Sequence, residues 1–154
     1  MIRDLREDDL AACGDILIDT DMWRYYGRSD REAHDLMRRE YDQGTIFRVE
    51  ERDGLVVGFI GAIPRGMMGE FPYVRMLSVR NSYRGQGIGT TLLGHLEAEM
   101  FAISRIMFMM VTDFNTGAKR LYNRLGWRDV GEIKDYKKKG VNEYLLIKYR
   151  DSGR

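Results

Sequence analysis

Residues 84–89 read Arg-Gly-Gln-Gly-Ile-Gly, and no other stretch of the chain restricts the fold as tightly. Glycines at alternate positions let a backbone turn sharply through positive φ and leave successive amide N–H groups bare and convergent. The flanks say what the turn joins. Residues 73–79 ahead of it are rich in apolar and β-branched side chains and predict a strand, while Ile88, Leu92, Leu93, Leu96 and Met100 behind it recur on one face of a helix. A strand that ends in a glycine turn at a helix N-terminus is an anion cradle, to which the helix contributes roughly half a positive charge and Arg84 a full one. A phosphate or pyrophosphate is its natural guest; a turn selected only for tight strand-to-helix geometry is the plainer use of the same residues. No Gly-Lys-Ser/Thr follows, which excludes the Walker pattern, and the spacing departs from the dinucleotide fingerprint, so NTP and NAD are poor guests.

The other elements follow from periodicity and punctuation. Residues 1–5 predict a short strand, and Glu7, Asp8 and Asp9 open a helix whose apolar side holds Leu10, Cys13, Ile16 and Leu17. Ser29 and Glu32 have capping-box spacing, and Ala33, Leu36, Met37 and Tyr41 carry a second helix over 30–43 until Gly44 stops it. Arg52, Asp53 and Gly54, between 46–50 and 55–63, read as a hairpin turn, and a loop follows at 66–69. The apolar run 106–111 predicts a strand covered on both faces. A fourth helix starts near Asn115 or Thr116, buries Ala118, Leu121, Tyr122 and Leu125, and ends at Gly126; 127–136 and 142–149 close the chain as two strands joined through 137–140. Hairpins that give way to helical crossovers imply an α/β (α+β) fold with one mixed, mostly antiparallel sheet of about seven strands and about four helices on its faces. With 154 residues and no linker, repeat or low-complexity tract, one domain over 1–150 and a short polar tail at 151–154 are expected.

Composition removes whole classes of function. Lysine and arginine total 25 against 24 acidic residues, so no overall field draws the chain to nucleic acid or an anionic membrane, and any anion must be held locally. The longest apolar run is far short of the roughly 20 residues a membrane helix needs, and the acidic N-terminus is unlike a signal peptide. Cys13 is the only cysteine, which excludes an intrachain disulfide and a cysteine-built metal cluster and points to the cytoplasm. His34 and His95 lie far apart without clustered acids; they read as surface residues, and no metal is expected.

Leu77-Ser78-Val79, the run from Tyr83 to Gly89, and then Asn115, Ala118, Leu121-Tyr122 and Leu125-Gly126-Trp127 together resemble the Gcn5-related N-acetyltransferases. Both motifs stand in order, separated by one helix and one apolar strand, and the expected element order is similar to that family over nearly the whole chain. The resemblance implies acetyl-CoA as donor and coenzyme A as product. It implies that Arg84, Gly85, Gln86, Gly87, Ile88, Gly89 and Thr90 hold the cofactor's pyrophosphate end. It also implies that the pantetheine arm lies along Leu77, Ser78 and Val79, where this strand splays from its neighbour in the family. Asn115 would contact the cofactor and Tyr122 would sit near the thioester sulfur. In the family, the connection between the first two helices and the final hairpin wall the acceptor site, which makes Trp23, Tyr25, Tyr26 and Tyr136 candidates for an amine pocket. A core contact, or a contact within a homodimer, is the alternative use of these aromatics.

Acetyl transfer from a thioester to an amine needs a neutral amine, a polarised carbonyl and a protonated leaving thiolate. The backbone N–H of Val79 is the candidate for polarising the carbonyl. Tyr122, a phenol of pKa roughly 10, is the candidate general acid toward a thiol of pKa about 8.5, although its spacing with Ala118 and Leu125 suits core packing equally well. The base is less plain. The branch of the family that acetylates protein N-termini carries a glutamate five residues before the motif asparagine, and this chain has Met110 there. Glu70, just ahead of the cofactor strand, is the candidate, with Asp113, just past the apolar strand, as the alternative; either acts directly or through water. Asn115 also suits a helix cap. The implied acceptor is a primary amine of a small molecule or of a peptide N-terminus. A non-catalytic acyl-CoA-binding module is the competing reading from another class.

Overall fold

The structure, a computed structural model, describes residues 1–151; apart from Asp151, the tail expected at 151–154 lies outside the described residues. Seven strands pair in the order β1-β2-β3-β4-β5-β7-β6. The chain gathers into two compact units, the first made of Met1–Ile63 and Arg75–Ala98, the second of Pro64–Val74 and the chain from Glu99 onward.

In the first unit, β1 (Ile2–Asp4) pairs antiparallel with β2 (Ile46–Arg52), and β2 with β3 (Leu55–Met67). The β2–β3 turn is Asp53-Gly54, both at positive φ (50° and 78°), the conformation a two-residue hairpin demands. Helices α1 (Leu10–Ile18), α2 (Asp21–Tyr25) and α3 (Asp30–Asp42) precede β2. Ser29 caps α3 as the spacing predicts: Glu32 N–H donates to Ser29 Oγ at 3.2 Å and Ser29 N–H donates to Glu32 Oε2 at 2.6 Å. The apolar sides of α1 and α3 meet each other and β2–β3, with Cys13, Ile16, Met37, Val49 and Phe59 wholly buried. Each such side chain contributes roughly 1.5–3 kcal/mol. Glu40 shares this interior and accepts from Thr45 Oγ1 at 2.8 Å and Arg75 Nε at 3.1 Å, so its charge is not left unpaired. β4 (Phe71–Val79) crosses both units, and α4 (Ile88–Phe101) begins in the first.

In the second unit, β5 (Ile106–Thr112) runs parallel to the start of β4 through the rungs Tyr73–Phe108 and Val74–Met109, and antiparallel to β7 (Val141–Tyr149) along its whole length. β6 (Arg128–Lys138) pairs on the far side of β7. The strand expected at 106–111 is buried as its composition requires, except Ile106 and Met110, which are half-buried. α5 (Thr116–Arg124) ends in a Schellman turn: Gly126, at φ 94°, donates to Asn123 O at 3.2 Å, and Trp127 N–H donates to Tyr122 O at 3.0 Å. Trp127 is 1% exposed. Trp127→Ala is expected to cost about 3–5 kcal/mol, measured as a shift in the urea-unfolding midpoint.

Several expectations change. There are five α-helices rather than four, because the aromatic connection after α1 coils into α2, capped where Thr20 Oγ1 accepts from Trp23 N–H at 3.2 Å. The loop expected at 66–69 shrinks: β3 continues to Met67, and the turn rests on Met68 and Gly69 at φ 53° and 72°. A methionine in that region is unusual, which is why the sequence conceals a two-residue turn. Ala118, Leu121, Tyr122 and Leu125 are half-buried rather than buried, since α5 lies against β5 over part of its length and keeps an open flank. The final loop is only Lys139 and Gly140; Lys137 and Lys138 belong to β6. His34 is half-buried over Gly14, with Nε2 3.2 Å from Asp15 Oδ1.

Candidate active site

The glycine turn of the first unit has the form its sequence demands. Gly85 and Gly87 sit at φ 75° and 78°, a region closed to most side chains, and the space above both is open. Thr91 N–H donates to Gly87 O at 3.0 Å, closing the first turn of α4; the amides before it have no intrahelical acceptor. Those amides are the donors a phosphate ester needs. Ile88 is buried and anchors the turn, and a Cβ added at Gly89 would meet the Val79 side chain at 3.8 Å. Arg84 and Thr90 are exposed. Arg84 Nε donates to Val79 O at 3.2 Å, which fixes the guanidinium at the end of β4 with further N–H donors to spare.

Two features of this unit bear on the site, the first of them hidden from sequence reading. Arg52, at the end of β2, donates from Nη1 to Gln86 Oε1 at 2.9 Å, which brings a second cation to the cradle. Nothing local in the sequence marks it; only the fold-back of the hairpin puts it there. The other concerns β4, whose carbonyl and amide groups alternate in direction. Arg80 N–H bonds Val57 O at 2.8 Å on β3, so Val79 N–H, one residue earlier, points to the opposite edge of the strand, as a donor to a guest must. Leu77, Ser78 and Val79 are all half-buried.

The aromatic connection divides. Trp23 is buried in the core of the first unit, its Nε1–H donating to Ser29 O at 3.1 Å and Arg28 stacked 4.9 Å from its ring. Tyr25 is exposed, and its ring meets Tyr26 edge-on at 5.2 Å. Asn81 Nδ2 donates to Asp19 O at 2.8 Å, tying this connection to the turn that follows β4.

The second unit carries the acid–base candidates. Asn115 occupies the N-cap position of α5, yet its side chain makes no capping bond. Tyr122 stands seven residues on, about two turns and 10 Å away on the same side of the helix. Burial alone pushes the Tyr122 phenol above its usual range. The Schellman turn holds this helix end, which gives the motif's Gly126-Trp127 a physical reason. Glu70 lies in the exposed turn ahead of β4, and Tyr136 is exposed on β6. Asp113 has a structural use: its Oδ2 accepts from Asn142 N–H at 3.1 Å, clamping β5 to β7. The sequence reading gave Glu143 no acid–base role. It is 6% exposed, its Oε1 accepts from Thr112 Oγ1 at 2.9 Å, and burial raises its carboxyl above the ordinary range. Only the β5–β7 register, Thr112 opposite Glu143, places them together. No group of three or more metal-ligating side chains occurs among the described residues.

Known proteins are similar to this chain in sequence and in fold. An uncharacterised N-acetyltransferase of Methanocaldococcus jannaschii is 35% identical over 113 residues, covering 71% of this chain and 70% of its own. An N-alpha-acetyltransferase of Sulfurisphaera tokodaii is 32% identical over 124 residues, covering 70% of each chain. A solved structure from Salmonella typhimurium, with its cofactor acetyl-CoA, shares the fold at TM-score 0.76 and 18% identity, over 98% of this chain and 94% of that one. The model of the acetyltransferase (GNAT) family matches residues 10–127, a span that holds the glycine cradle, β5 and α5 together, and the chain belongs to that family.

Proposed function

We propose that the protein transfers the acetyl group of acetyl-CoA to a primary amine by direct attack in a ternary complex. The observation that carries this reading is the turn over 84–89, with two glycines at positive φ, open space above them and amides without intrahelical acceptors. A diphosphate ester suits that donor set, with Arg84 and Arg52 as its cations. Charge-assisted bonds of roughly 1.5–3 kcal/mol each make a few of them sufficient for micromolar affinity. Leu77, Ser78 and Val79 take the acyl-bearing arm, Val79 N–H polarises the thioester carbonyl, Asn115 contacts the cofactor and Tyr122 protonates the leaving thiolate. Tyr25, Tyr26 and Tyr136 contact the acceptor, with Trp23 supporting their segment from the core. Glu70, in its exposed turn, exchanges protons with solvent. The name of the Sulfurisphaera relative favours a peptide N-terminus over a small amine as acceptor. We place the enzyme in the cytoplasm; no helix among the described residues is long and apolar enough to cross a membrane.

Incubation with acetyl-CoA and a panel comprising an alanine-initiated hexapeptide, amino acids, spermidine and kanamycin tests this, with thiol release followed and products identified by mass. Acetylation of the peptide's α-amine is the expected result. Saturable binding of acetyl-CoA without transfer to any member would instead establish a binding module.

A further inference from the structure

Glu143 is a buried acid for which the scaffold has no evident need. It lies at the carboxyl end of β5, the end at which parallel strand pairs such as β4–β5 present ligands. The Thr112 hydroxyl donates to it at 2.9 Å, a neutral partner, in contrast to Glu40, which is salt-bridged to Arg75. Because side chains alternate along a strand, Thr112 and Met110 share a face of β5, and the hydrogen bond puts Glu143 on that face too. A carboxylate is thereby supplied from β7 beside the place on β5 where Met110 can take no proton.

We propose that Glu143 accepts the proton of the incoming amine, directly or through one water. This rests on the acetyltransferase reading. The ammonium form of the acceptor gives one proton to the Glu143 carboxylate; the freed nitrogen lone pair attacks the thioester carbonyl carbon, forming the C–N bond. The C–S bond then breaks, Tyr122 gives its hydroxyl proton to the departing thiolate, and the remaining excess proton on nitrogen restores the phenol. Glu143 returns its proton to water, so the products are the acetylamide, the thiol and one proton.

The surroundings suit the role. From the end of β5 comes the Thr112 hydroxyl, which lowers the carboxyl pKa, and from the turn just past it the Asp113 carboxylate, which raises it; from β6 come Lys137, which lowers it, and apolar Ile133 on the opposite rung. α5 contributes Lys119, held over the ring of Tyr144 on the other face at 3.6 Å. Desolvation is the largest influence and leaves the carboxyl raised, hence a stronger base than an exposed glutamate. The sign for stability follows: a carboxyl raised by folding favours the native state at low pH, and that contribution is lost as pH rises through the folded value. Glu143→Gln removes a buried charge and keeps an acceptor for Thr112.

The test measures wild type, Glu143→Gln and Glu70→Gln from about pH 5.5 to 9.5, using the panel member that wild type acetylates fastest. For Glu143→Gln, kcat/KM for the amine is expected to fall at least about tenfold at neutral pH, with KM for acetyl-CoA within about twofold. Its activity is expected to keep climbing toward the amine's own pKa while wild type levels off, and its melting temperature at pH 8 to match or exceed wild type. Wild-type rate and profile in Glu143→Gln would overturn the inference, as would a lowered melting temperature that accounts for the loss, or an acidic limb that disappears only in Glu70→Gln. If wild type acetylates no member, the enzyme reading itself fails, and this inference with it; the two failures differ in whether wild type turns over.

Discussion

Gly87→Val is expected to weaken acetyl-CoA binding at least about a hundredfold while leaving the far-ultraviolet circular dichroism unchanged. At φ 78° a β-branched residue is forced toward another backbone well. The space above Gly87 is open, so no packing clash complicates the result; the conformation alone is at stake. If the turn relaxes, at least two amides leave the phosphate, each worth roughly 1.5–3 kcal/mol, which sums to a hundredfold or more. Isothermal titration with coenzyme A measures this directly, without an acceptor. Unchanged affinity would remove the diphosphate from this turn. Arg52→Ala is the milder companion, because it deletes one half-buried cation and leaves every amide in place.

Tyr122→Phe is expected to lower kcat by about a hundredfold or more, with coenzyme A affinity within about twofold. The substitution keeps the half-buried ring and removes one hydroxyl, so any effect belongs to proton transfer. Since burial raises the phenol, it stays protonated through the whole range in which thiols ionise, and wild type is expected to hold its activity into alkaline solution until the tyrosine loses its proton. A Tyr122→Phe enzyme that turns over at the wild-type rate would leave the hydroxyl without a role.

How much of this was legible beforehand depends on the range of the interaction. The cradle at 84–89, the helix stop at Gly126 and the Ser29–Glu32 cap are local, so residue identities and short spacings expose them. The paired apolar faces of α1 and α3 are visible for the same reason. What the sequence conceals is decided across strands. Arg52 reaches Gln86 over 34 positions and Thr112 reaches Glu143 over 31, and no periodicity encodes either. By its sequence context Trp23 suits a pocket wall or a core position, and only its bond to Ser29 and its burial distinguish the two. Met68 at positive φ shows the limit from another side, since turn rules built on glycine and asparagine miss a methionine forced into the role.

Cys13 bears on durability. A catalyst that discharges coenzyme A works among free thiols and, under oxidative stress, among their disulfides, which cap accessible protein cysteines as mixed adducts. The chain's one sulfhydryl is wholly buried, and desolvation holds its pKa up at about 12, so at physiological pH almost no thiolate exists to exchange. The thiol released in the proposed reaction therefore has no handle on the folded protein, and bulky sulfhydryl reagents should label Cys13 only as fast as the fold opens.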